Sequence, residues 1–307
     1  MIRYIGSRLL YLVFVAWATV TLLFFLIRLS GDPVALIAGY DTTPERLAEV
    51  RAQLGLDQPV AVQYGRFLRS ALSLDFGRSY RYQADAIAVV LERFPATLEL
   101  SGAALLLTVA VAFPAGIIAA VQRGRISGFL VMFGALIGQS VAIFWLAIML
   151  ILLFSVQLRW LPSFGRGGLE HLILPAVTLS SFLIARQTRL IRSGMIEVLG
   201  QDYIRTARSK GLSEFVTVAR HGLRNMLLPI VAVLGLDVSF LISGSVITET
   251  VFSWPGMGHL VLTSVLDRDY PVVQAVVFMV AIIVAVVNMF VDFAYRLLDP
   301  RIGFGAQ

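Results

Sequence analysis

Eleven residues hold the densest chemistry in this chain: Asp202-Tyr203-Ile204-Arg205-Thr206-Ala207-Arg208-Ser209-Lys210-Gly211-Leu212. The segment is polar and basic, it lies between two long apolar runs, and it contains Lys210, the only lysine among 307 residues. A nucleotide P-loop reads G-x-x-x-x-G-K-[ST], with the lysine on the phosphates. Lys210 follows Ser209 and is followed by Gly211, so no such motif can be formed. If this chain takes part in ATP-driven work, hydrolysis belongs to another polypeptide. There is no cysteine, which excludes a disulfide, a thiolate metal site and a thiol nucleophile. His171, His221 and His259 stand far apart, form no i, i+4 pair, and do not suggest a metal site. No serine–histidine–acid grouping stands out, and Gly165, Gly167 and Gly168 after Pro162 read as a loop, not a phosphate cradle.

The chemistry left to the basic segment is recognition. Residues 197–210 contain few helix breakers, and Gly211 suits the C′ position that closes a helix. On that helix Tyr203, Ala207 and Lys210 fall near one face, being four and three residues apart. Ala207 is small enough for a partner's backbone to approach. A second helix is expected from Ser213, as N-cap, toward Leu223. Two readings stand: a docking surface for a soluble partner, or a positive loop that only fixes membrane orientation.

Asp237 is the second chemical candidate, because it interrupts the apolar run Met226–Thr248. An ionisable residue inside a span is costly and usually functional. It can bind a cation, relay a proton, or bond a neighbouring helix or companion subunit. Gln139 and Ser243, with Ser140, Ser180, Ser181, Ser239 and Ser245, can line a path, although small polar residues also join membrane helices. Glu99, Glu249 and Asp292 lie near span ends, where solvated positions are expected. Gly134 and Gly138 give one small-x-x-x-small face.

The elements that position these residues need a bilayer. The chain is 58% hydrophobic and 14% charged, with mean hydropathy +0.84, against about 25% charged in soluble domains. A span needs about 20 mostly apolar residues. Six stretches are expected to cross: 9–27, 100–121 with Pro114 inside, 129–158 as one tilted run, 172–185, 226–248 and 271–291. Arg186, Arg189 and Arg192 follow the fourth and can snorkel to the interface. Six spans leave both termini on one side. Placed inside, the inner segments carry fourteen cations against four acids, and the outer segments eleven against thirteen. The positive-inside rule then makes both termini cytoplasmic, and the net charge of +6 reflects topology, not nucleic-acid binding. The first apolar run is longer than a usual signal-peptide core and reads as an uncleaved span.

Residues 30–96 are too polar for the bilayer and read as a small helical insert on the outer face. Three helices are expected there: after Thr43-Pro44-Glu45 up to Gly55, from Asp57-Gln58-Pro59 through Leu72, and from Ala84 to Phe94, stopped by Pro95. The insert either buttresses the bundle or helps to seat a substrate-delivering partner. The organisation is therefore a first span at 1–29, the insert at 30–96, a core of five spans at 97–300 with a cytoplasmic loop at 193–225, and a tail at 301–307.

The segment 202–212 resembles the cytoplasmic EAA loop of ABC-importer permeases, and more narrowly that of the dipeptide, oligopeptide, nickel and glutathione permease family. The resemblance covers nearly the whole chain through ordered motifs: Gly31-Asp32-Pro33, Leu54-Gly55-Leu56-Asp57-Gln58-Pro59, Asp75-Phe76-Gly77-Arg78-Ser79 and Pro95-Ala96-Thr97-Leu98-Glu99-Leu100. Further on come His221-Gly222-Leu223-Arg224-Asn225, Leu228-Pro229, Trp254-Pro255-Gly256-Met257-Gly258 and Arg268-Asp269-Tyr270-Pro271. Arg205 and Thr206 stand where the general loop has Glu and its first Ala, so no role for a glutamate is carried over. The resemblance implies an all-α membrane protein with six transmembrane helices of the type I importer kind. It implies a permease that is not itself an enzyme, placed in the bacterial inner membrane. It would supply half of a peptide pathway with a homologous permease subunit. It would dock two ABC ATPases through Asp202, Tyr203, Arg205, Thr206, Ala207, Lys210, Gly211 and Leu212. It would receive substrate from an extracytoplasmic binding protein. No cofactor is expected on this chain; ATP and Mg would sit on the ATPases. Gln139, Asp237 and Ser243 are the path candidates. The competing expectation is a secondary transporter or channel driven through Asp237 by an ion gradient.

Overall fold

The computed structural model describes residues 2–29 and 57–298. The expected helix ending at Gly55 and the tail 301–307 lie outside them. In chain order the helices are α1 (Ile2–Leu29), α2 (Val60–Leu72), α3 (Ala86–Val121), α4 (Ile126–Ser140), α5 (Ile143–Leu150), α6 (Leu169–Leu199), α7 (Asp202–Ser209), α8 (Glu214–Val216), α9 (Arg224–Gly244), α10 (Val246–Val251), α11 (Met257–Leu266) and α12 (Tyr270–Leu298). Wider π-helical turns extend α5 over Ile151–Gln157 and join α8 to α9 over Thr217–Leu223. Among the described residues four helices are long and apolar enough to cross a membrane: Gly6–Leu26, Ala86–Val121, Leu169–Leu199 and Tyr270–Phe293. Two bent pairs bring the number to six if each counts as one span.

Three expectations change. The run 129–158 is not one tilted span: α4 and α5 meet at 104°, because Val141 (φ −81°, ψ 129°) and Ala142 (φ −65°, ψ 132°) are both extended. The hydrogen bonds close cleanly on either side. Val141 N–H donates to Ile137 O at 3.1 Å, and Leu146 N–H to Ala142 O at 3.0 Å. The run around 226–248 bends by 55° where Pro229 follows Leu228, since proline lacks the N–H and crowds the preceding turn. The expected stop at Pro95 does not occur. α3 runs through Pro95 and Pro114 as one 36-residue helix, so the insert boundary at residue 96 falls inside a helix. The lost donor and crowding at a helix-interior proline cost about 3 kcal/mol. Fully buried Thr97 and Leu100 in the next turn show the packing that offsets it.

The chain forms two compact units, Met1–Pro95 with Gly256–Val286, and Ala96–Pro255 with Val287–Gln307. In the first, α2 lies along α1. The Tyr64 and Thr21 hydroxyls are bonded at 2.7 Å, and the Phe24 ring meets Tyr64 edge-on at 5.3 Å and Phe67 at 5.8 Å. The Arg28 guanidinium covers Phe24 at 4.6 Å and also donates to the Gln63 side chain. Farther along, the buried Asp269 carboxylate accepts from the Ser79 hydroxyl, from Tyr80 N–H at 3.2 Å and from Arg81 N–H at 3.3 Å. The motifs at 75–79 and 268–271 thus meet on one carboxylate.

In the second unit α6 is central. Leu100 and Ala104 of α3, Leu179 and Leu183 of α6, Leu241 of α9 and Trp254 form one buried cluster. Ala112, Ala120, Ile191, Met195, Val218, Met226 and Ile230 form another. Lipid tails are as apolar as leucine, so close approach, not exclusion of water, must hold such helices together. Gly116 supplies that approach: a Cβ there would lie 2.7 Å from Ile191 Cβ and 3.0 Å from Thr188 O. At Gly138 a Cβ would meet Ser181 O at 3.5 Å, whereas Gly134 faces open space. Only half of the small-residue face therefore serves packing.

Candidate docking elbow and polar sites of the second unit

The elbow arises from local sequence. α7 begins after extended Gln201 (φ −74°, ψ 152°) and ends at Lys210. Gly211 then takes φ +78°, a left-handed conformation that costs glycine nothing. Gly211 N–H donates to Arg208 O at 3.0 Å and Leu212 N–H to Ala207 O at 3.4 Å, the paired closure of a Schellman motif. Ser213 then caps the next helix, its hydroxyl accepting from Val216 N–H at 3.4 Å. Arg208 locks the two arms together, donating to Glu214 at 2.7 and 3.1 Å. That bond raises the Arg208 guanidinium further above its ordinary value. Tyr203 is tied to the start of α9, its hydroxyl accepting from Asn225 Nδ2 at 2.9 Å.

Of the expected face of α7, Tyr203 and Lys210 are exposed, whereas Ala207 is buried together with Ile204, and α7 packs on the chain's own π-helical turn. Asp202, Tyr203, Arg205, Thr206, Lys210, Gly211 and Leu212 remain exposed. Phe215, which sequence reasoning passed over, is 82% exposed at the tip of the second arm. Its signal was an aromatic residue two places after an N-cap serine.

Asp237 is wholly buried. Its Oδ1 accepts from Arg186 Nη1 at 3.0 Å and its Oδ2 from the Gln187 amide. Arg186 thus turns toward α9 instead of snorkelling. Both carboxylate oxygens are engaged by α6, which makes Asp237 an interhelical pin. Ser243, six residues on and exposed, donates to Ser239 O at 2.8 Å. Gln139 is half-buried on α4. Among the described residues no hydrogen bond links the three path candidates to one another.

Glu249, expected near solvent, is fully buried. It accepts from the Thr97 and Ser245 hydroxyls, both at 2.9 Å. Trp254 is also buried, and its indole N–H donates to Ala96 O at 2.8 Å. The motifs at 95–100 and 254–258 therefore touch, with Trp254 as the anchor. Glu99 behaves as expected, half-exposed and paired with Arg166 at 2.8 Å. Among the described residues no group of three or more His, Asp or Glu side chains could hold a metal ion.

Residues 112–304 match the family described as "Binding-protein-dependent transport system inner membrane component", and residues 1–101 match the N-terminal membrane component of the same systems. The glutathione transport system permease protein GsiC of Escherichia coli (strain K12) is 40% identical over 305 residues, covering 99% of this chain and 100% of that protein. A protein of Brucella suis biovar 1 (strain 1330), provisionally named a peptide transport system permease, is 42% identical over 295 residues, 93% of this chain and 94% of its own. The fold resembles a chain of the MetNI methionine ABC transporter in an inward-facing conformation, with TM-score 0.59 and 18% identity over 68% of this chain and 96% of that one. The chain belongs to the binding-protein-dependent transport system inner membrane component family, and is an all-α, multi-pass permease subunit of an ABC importer.

Proposed function

We propose that this permease carries short peptides, glutathione-like ones among them, and that it is driven by ATPases docked on its elbow. The substrate class rests on the names of relatives at 40–42% identity. The single observation that carries the coupling reading is the two-armed elbow itself. Ile204 and Ala207 anchor it inward, the Arg208–Glu214 pair stiffens it, and it displays Tyr203, Arg205, Lys210, Leu212 and Phe215. A stiff, exposed and partly apolar projection transmits force; a loop that only fixes topology needs positive charge and no such shape.

In this reading both termini and the elbow are cytoplasmic, and residues 57–85 face the substrate-binding protein. A homologous permease completes the pathway, and ATP and Mg stay on the two ATPases. The absence of cysteine makes the test direct. Arg205→Cys or Phe215→Cys in the assembled transporter should cross-link to the ATPase, and Tyr82→Cys should not. Cross-linking from Tyr82→Cys, or none from either elbow position, refutes the assignment.

A further inference from the structure

Beside the turn joining α3 to α4 lies an open cavity of about 410 Å³. Its polar wall is three arginines: Arg123 and Arg125 on the turn and Arg192 from α6. Its apolar wall is Ile126, Phe129 and Met132 of α4. Among the described residues no carboxylate pairs with any of the three guanidinium groups, and the Arg192 Nε is buried with no hydrogen-bond partner. α4 starts there without a side-chain cap, Arg125 being its N-cap residue, so its first-turn N–H groups add positive potential. The Ser127 hydroxyl is spent on Gln122. From the cavity an exposed apolar track runs along α4, from Ile126 (78%) and Phe129 (67%) to Phe133 and Leu136.

We infer that this cavity is a binding site for an anionic phospholipid, its phosphate held by Arg123, Arg125 and Arg192 and its acyl chains lying along Ile126, Phe129 and Phe133. Three guanidinium groups at one cavity with no carboxylate partner among the described residues attract an anion. The continuous apolar track suits an anion that carries a hydrocarbon body, which a free phosphate lacks. Basic pockets between membrane helices are suited to such headgroups. The leaflet depends on the orientation proposed above; the site itself does not.

The test is native mass spectrometry of the full-length chain in detergent with phosphatidylglycerol, phosphatidylcholine or inorganic phosphate, paired with thermal melting. Phosphatidylglycerol should be retained preferentially and should raise the melting temperature. Arg192→Gln should lower its retention about fivefold, the weight of one cation at a lipid surface. Arg220→Gln, at an exposed arginine outside the cavity, should leave retention unchanged. Three outcomes overturn the inference: equal retention of both lipids by the wild-type chain, inorganic phosphate displacing the lipid at equal concentration, or Arg220→Gln causing the same loss as Arg192→Gln.

Discussion

Replacing Asp237 separates an interhelical pin from a gradient-driven relay. Asp237 is 0% exposed, whereas the Arg186 side chain keeps 36% exposure. Removing one partner of a buried ion pair costs about 3–5 kcal/mol. Arg186 can recover some hydration, which places Asp237→Ala near the low end. The Gln187 amide, itself fully buried, then loses its acceptor, a further penalty of about 1–3 kcal/mol where no water replaces it. The expected loss is about 4–6 kcal/mol, read by denaturant titration of the purified chain. Asp237→Asn keeps an acceptor for one donor and should cost roughly half as much, with ATP-driven uptake retained. Replacing all three polar partners together, with Arg186→Met, Gln187→Leu and Asp237→Leu, should recover most of the stability, because buried charged and polar partners exchanged for apolar side chains are often near neutral. A loss below about 1 kcal/mol for Asp237→Ala refutes the pin. So does a stable Asp237→Asn chain whose uptake is abolished, since the carboxylate would then be needed for transport and not for packing.

Three other expected outcomes rest on the same geometry. Asp269→Ala should destabilise by about 2–4 kcal/mol in a thermal or denaturant melt, because the Ser79 hydroxyl and two backbone N–H groups lose their acceptor; Asp269→Asn should cost less. Ala207→Arg should lower folded yield, since residue 207 is buried, while exposed Arg205→Glu should leave the melt unchanged and reduce stimulation of the ATPases at least about tenfold. Single cysteines at Tyr82 and Ser209 should react with an impermeant maleimide from outside and inside respectively, and the reverse pattern removes the orientation argument.

The spans, the elbow and its caps were legible because each rests on local rules. Apolar length marks the spans, Gly211 takes the left-handed turn, and Ser213 caps the second arm of the elbow. The bend at Val141 had a local signal that the count of apolar residues overrode: Gly138, Gln139 and Ser140 interrupt the run just before Val141 and Ala142. Pro95 misled in the opposite direction, because packing of Thr97 and Leu100 overrides the local penalty. At the candidate sites Asp237 stood out as a lone charge, yet its partners Arg186 and Gln187 are about fifty residues away. The burial of Ala207 and of Glu249 also depends on contacts that no local spacing encodes.

The central claim is that the elbow couples an external ATPase to movement of substrate through this chain. Its most direct test is peptide uptake into proteoliposomes holding the assembled transporter, with wild-type or Phe215→Asp permease, under ATP or under an imposed proton gradient. The account predicts uptake with ATP alone, no uptake with the gradient alone, and loss of ATP-driven uptake in Phe215→Asp while the complex stays folded. Gradient-driven uptake without ATP, or undiminished uptake in the variant, contradicts it.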